Sequence, residues 1–164
     1  VGSEMCIRDR TEHGISNYGE LESKLAALSA RRDTAHAEIK RVESRSTELA
    51  LVMKHAGTYR QLKPLYDLYR KSNDKEKFLR GHESEIILFE AAARELKRLG
   101  AVPLPTTESM KTELANLNAE KERLLTEYKT ARTEAQEYDT VKQNVDALLA
   151  VPKEQKQQRR HELE

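Results

Sequence analysis

The chain has 164 residues, 37% apolar and 35% charged, with two Phe, no Trp and a net charge of +1. That length is one domain or a piece of something larger, and the balance is too charged for a large globular core and typical of long exposed helices. A single cysteine, Cys6, excludes an internal disulfide and a multi-cysteine metal site; with no apolar run near the roughly 20 residues of a membrane span and no apolar signal-peptide core, a cytoplasmic protein is expected.

Residues 1–10, VGSEMCIRDR, carry no helical period and resemble the translation of sequencing-adapter bases into the end of a reading frame. On that reading the chain is truncated, residues 1–15 are disordered and Cys6 has no biological meaning. An apolar rhythm then begins. Leu21, Leu25, Leu28, Ala35, Ile39, Val42, Leu49 and Met53 step by three and four, the spacing of one seam of a helix. Ser16 or Asn17 caps this helix, Glu20 supports its first turn, and Gly57 terminates it, so the first long helix is predicted over 16–56. Arg32 and Ser46 are the polar positions of the seam; such residues weaken a seam but fix its register.

Residues 57–105 read as a small helical head. A short helix carries Tyr59, Leu62, Leu65, Tyr66, Leu68 and Tyr69, with Pro64 early in it, and Ser72-Asn73-Asp74 breaks it. A second, very apolar helix is predicted from about Glu83 to Leu99, closed by Gly100, and Val102-Pro103-Leu104-Pro105 is an extended connector. Thr106 and Thr107 are caps for the second long helix, 106–150. Its seam runs Met110, Leu114, Leu117, Leu124, Tyr128, Ala131, Ala135, Tyr138, Val145, Leu149. Pro152 is expected to stop it, leaving 151–164 as a polar, solvated tail that includes Arg159 and Arg160.

A single apolar seam on a long helix needs a partner. The fold class is therefore all-α: a long antiparallel two-helix coiled-coil hairpin capped by a small helical head, with Met53 near Met110 and Leu25 near Tyr138–Val145. The competing arrangement pairs the seams of two chains in a homodimer, and periodicity does not separate the two.

Catalytic chemistry is not legible. His13, His36, His55, His82 and His161 never fall at metal-ligand spacing, and a zinc site needs at least three convergent donors. His82 beside Glu83 reads as a helix-opening residue. No G-x-S-x-G turn and no Gly-rich phosphate loop occurs. Tyr66 or Tyr69 as a nucleophile on a phosphodiester would need a metal or a basic cluster, and a core or contact role is the plainer reading. No catalytic residue, metal, cofactor, membrane or small-molecule substrate is expected.

The functional candidate is the block from Lys54 to Arg80. It holds eight Lys and Arg against three Asp and Glu, an excess of +5, so the remainder nets −4 within the total of +1. Lys54, Arg60, Lys63, Arg70, Lys71, Lys75, Lys77 and Arg80 interleave with Tyr59, Tyr66, Tyr69 and Phe78. Cations that track phosphates beside aromatic faces that stack bases are the usual device for single-stranded DNA. The alternative is that the aromatics pack the head and the cations form its solvated face.

The order of these pieces resembles the C-terminal helical region of relaxases, the mobilisation nucleases of conjugative and mobilisable elements in Gram-positive gut bacteria. The resemblance covers roughly residues 11–150. It is carried by Tyr66-Asp67-Leu68-Tyr69-Arg70-Lys71, the run from Lys77 to Glu90, Leu104-Pro105 ahead of the last helix, and Tyr128-Lys129. In that family a tyrosine of an N-terminal domain links covalently to DNA and a histidine triad holds a divalent metal. Neither maps onto this chain, and the catalytic domain would lie upstream. The resemblance implies a non-catalytic fragment serving DNA mobilisation as an accessory DNA-contact or protein-interaction region, with single-stranded DNA or a transfer-machinery protein as partner. The rival is a structural coiled-coil module with no nucleic-acid role.

Overall fold

A computed structural model describes residues 17–162, with side chains described through residue 150. The expectations for residues 1–15, with Cys6 and His13, and for the side chains of the 151–164 tail lie outside the described residues. The protein is all-helical. Three helices, α1 (Tyr18–Lys71), α2 (Lys75–Arg98) and α3 (Thr107–Glu162), follow in order, with no strand among the described residues.

The chain divides into two compact units. The first takes, among the described residues, those up to Ile39 and those from Arg123 onward. Asn17 caps α1, its Oδ1 accepting from the Glu20 amide at 2.8 Å. Leu21 and Leu28 of α1 bury against Tyr138, Val141 and Val145 of α3, with Tyr18, Leu25 and Ala135 packed around them. Leu25 thus sits where its seam position placed it. The polar contacts of this unit run in opposite senses along the two helices: Tyr18 Oη donates to Asp146 Oδ1 at 2.9 Å, and Arg31 Nε lies 3.5 Å from Glu127 Oε1. Ala35 and Ala131 are buried as well, at 3% and 0% exposure, so small residues stand in the seam toward the Ile39 and Arg123 limits of this unit.

The second unit, Lys40–Glu122, holds the rest of α1, all of α2 and the first turns of α3. Its core is Val42, Leu49, Val52, Ala56, Ile86, Phe89, Ala92, Leu96, Ala101, Met110 and Leu117. Ion pairs edge the seam at Arg41–Glu120 (3.0 Å), Lys121–Glu43 (3.0 Å) and Arg45–Glu113 (2.6 Å).

Three helix limits differ from the sequence expectation. α1 does not end near Ala56; it passes Gly57 and Pro64 to Lys71, so the short Tyr59–Tyr69 helix is its continuation. An interior glycine costs only about 1 kcal/mol, and Val52, Tyr59 and Tyr66 keep the seven-residue spacing, so burial outweighs it. α2 begins at Lys75, with Asp74 Oδ1 accepting from the Lys77 amide at 3.1 Å, and is broken at His82 (φ −140°, ψ 22°). The expected helix from Glu83 is its longer part. α3 continues through Pro152 to Glu162; the Lys, Glu and Gln residues that follow the proline are good helix formers.

The connector from α2 to α3 is tightly fixed. Gly100 (φ 71°) closes α2 in a Schellman arrangement: its amide donates to Lys97 O at 3.1 Å and the Ala101 amide to Leu96 O at 2.9 Å. Thr106 Oγ1 then caps α3 by accepting from the Ser109 amide at 3.1 Å.

Candidate nucleic-acid interface

The basic and aromatic block spans the end of α1, the Ser72–Asp74 turn and the start of α2. Tyr59, Leu62, Tyr66 and Tyr69 recur at seven and three, so they share a face. That face turns inward. Phe89, which is 5% exposed, lies between Tyr59 and Tyr66, with ring centroids 4.7 and 4.3 Å away and planes within 26°. Tyr66 continues to Tyr69 (5.9 Å), Tyr69 to Phe78 (5.9 Å) and Phe78 to His82 (4.9 Å). These six rings form one ladder joining α1 to α2. The tyrosines and Phe78 are half-buried.

All eight cations, Lys54, Arg60, Lys63, Arg70, Lys71, Lys75, Lys77 and Arg80, are exposed. Three have partners. Arg60 donates to the Pro105 carbonyl and to Thr107 Oγ1, tying the connector to α1. Lys63 Nζ sits 3.2 Å from Asp67 Oδ2, and Arg80 Nη2 lies 3.8 Å from Glu76. Lys54, Arg70, Lys71, Lys75 and Lys77 make no ion pair among the described residues. Four of these five flank one short turn, Arg70 and Lys71 before it and Lys75 and Lys77 after it. The C-terminus of α1 favours the first two through the helix dipole, whereas the N-terminus of α2 disfavours the second two. Repelled cations at a helix start gain from an external anion.

Phe89 is the residue sequence reasoning placed only in an apolar run, although it organises the ladder. Its partners stand well upstream, and periodicity within one helix carries no signal for them. His82 Nδ1 is buried without a hydrogen bond; Glu85 Oε2, at 3.7 Å, is out of reach. Among the described residues no group of three His, Cys, Asp or Glu converges as a metal site, and no helix is long and apolar enough to cross a membrane. No family model matches the chain, and no curated protein or solved structure does.

Proposed function

We propose that this chain is a non-catalytic helical segment of a relaxase that serves DNA mobilisation in the cytoplasm by contacting the phosphates of single-stranded DNA. One observation carries the DNA contact: Arg70, Lys71, Lys75 and Lys77 crowd one turn, exposed and without carboxylate partners among the described residues. The relaxase assignment rests on the motif order from Tyr66 to Lys71 and from Lys77 to Glu90. Because the tyrosine faces lie against Phe89 and one another, the contact is through charge rather than base stacking. In this reading α1 and α3 form one antiparallel coiled-coil hairpin, and α2 with its connector is the head.

Binding of labelled oligo-dT by fluorescence anisotropy, from about 50 to 200 mM KCl, tests it. Replacing Arg70, Lys71 and Lys75 together by Ala should flatten the slope of log K against log[salt] by about 2, at roughly 0.7 per lost phosphate contact. Tyr66→Leu should leave the slope unchanged. Equal slopes for the wild type and the triple variant would favour the structural coiled-coil reading, which draws on the same inward-facing rings. Cleavage of a transfer-origin plasmid by the isolated chain with Mg²⁺ or Mn²⁺ would overturn the non-catalytic assignment. Sedimentation over a concentration series separates the internal hairpin, a monomer, from a dimer of seams.

A further inference from the structure

Beside the ladder, and independent of any DNA contact, the second unit holds a cavity of about 210 Å³ lined by Tyr59, Ala93, Leu96, Lys97, Ala101, Val102 and Leu104. Its walls come from α1, α2 and the α2–α3 connector. Five of the seven lining residues are aliphatic, and the only charged one is Lys97, which is exposed and makes no ion pair among the described residues.

Two features make this cavity a built one. Its connector wall is held at both ends: by the Schellman hydrogen bonds at Gly100 and Ala101, and by Arg60, which bonds the Pro105 carbonyl and Thr107 Oγ1. The opposite wall is held as well, because Tyr59 is stacked on Phe89. A cavity whose walls are fixed before a ligand arrives loses little conformational entropy on binding.

Size and charge define the occupant. The pocket is open on one side, with Val102 on its rim 68% exposed; an apolar space of about 150 Å³ holds a benzene ring, so this one admits a single ring or a branched chain of similar bulk. Water gains few hydrogen bonds from aliphatic walls, so filling them with an apolar body is favourable. The unpaired Lys97 ammonium suits an anionic head. We infer that this cavity binds a small free carboxylate with an aromatic or branched apolar body, the body against Ala93, Leu96, Ala101 and Leu104 and the carboxylate on Lys97. The residue pattern alone anticipated no such ligand.

Isothermal titration and amide chemical-shift mapping of the full chain with benzoate, 3-methylbutanoate and toluene test the assignment. Benzoate should saturate one site at millimolar concentration and shift the amides of Ala93, Ala101, Val102 and Leu104. Lys97→Gln should weaken benzoate about tenfold, the loss of one charge-assisted hydrogen bond, and leave toluene binding unchanged. Ala93→Leu, which fills the cavity, should weaken both ligands while helicity and thermal midpoint stay at least at wild-type values. Three results would overturn the inference: no saturable shift at those amides in the wild type, equal benzoate affinity in Lys97→Gln, or equal affinity in a folded Ala93→Leu variant. Tighter binding of a peptide ending in a free C-terminal Phe than of benzoate would overturn the small-molecule assignment in favour of a protein C-terminus.

Discussion

Phe89→Leu isolates the aromatic ladder. Leucine keeps an apolar side chain at a site only 5% exposed, but it removes both ring stacks, at 4.7 Å to Tyr59 and 4.3 Å to Tyr66. Each stack is worth about 0.5–1.5 kcal/mol beyond buried area, and an apolar swap of nearly equal volume adds about 1 kcal/mol or less. The loss should be about 1–4 kcal/mol. At roughly 2–4 °C per kcal/mol for a chain of this size, the thermal midpoint should fall by roughly 2–16 °C. Urea unfolding followed by circular dichroism measures the same loss as a lower midpoint at constant slope. A double-mutant cycle with Tyr66→Leu should give a coupling of about 1 kcal/mol between the two rings. Leu88→Ala on the same helix, at 55% exposure, should change stability by about 0.5 kcal/mol or less. If Phe89→Leu cost no more than Leu88→Ala, or Tyr66→Leu cost the same in both backgrounds, the ladder would not be what holds α2 to α1.

Two glycines should respond with opposite signs. An added Cβ meets nothing within 4 Å at either Gly57 or Gly100, so only the backbone decides: Gly57→Ala, inside α1, should raise the unfolding free energy by about 0.5–1 kcal/mol, and Gly100→Ala, at φ +71°, should lower it by about 1–2 kcal/mol, each read from the shift of the urea midpoint. The hydrogen bond to Asp146, followed by burial and the charges of Asp146 and Glu22, pushes the Tyr18 phenol from 10.0 up to about 12. Between those values the unfolded chain has released the proton and the folded chain has not, so the contribution of Tyr18 is full below pH 10 and lost as the pH rises to about 12. The difference in tyrosinate titration between wild type and Tyr18→Phe reads this directly, and in an Asp146→Asn background the step should move back toward 10. Arg45 donates to Glu113 at 2.6 Å and to Glu48 at 3.0 Å, but all three side chains are about two-fifths exposed. Arg45→Gln should therefore cost less than about 1 kcal/mol, and the difference should shrink near 1 M salt.

The seam was readable because burial repeats with the heptad. Leu21, Leu28, Ala35, Val42, Leu49 and Ala56, and Met110, Leu117, Leu124, Ala131, Tyr138 and Val145, are buried at seven-residue intervals. Val52 and Val141 are buried too, outside the expected series; a helix of 3.6 residues per turn drifts against a 3.5 repeat, so the seam widens. The limits of α1 were misread for a reason of the same kind. Gly57 and Gly100 are chemically identical, yet only Gly100 adopts positive φ. After Gly100 come Pro103 and Pro105, which turn the chain out of a helix. Val52, Tyr59 and Tyr66, by contrast, carry the seven-residue spacing straight across Gly57. A glycine therefore ends a helix where the following residues abandon the seam, and is absorbed where they return to it. The same continuity sets the rings beside the cations. Once 57–71 is one uninterrupted helix, Tyr59 and Tyr66 fall in one seven-residue row and Lys63 and Arg70 in the row next to it, so the rings pack on Phe89 while the neighbouring cations stay exposed at the edge of the same face. The stacking half of the expected DNA-binding device is then occupied by Phe89, a residue of another helix that no period within α1 could reveal, while the charged half stays in solvent at the turn.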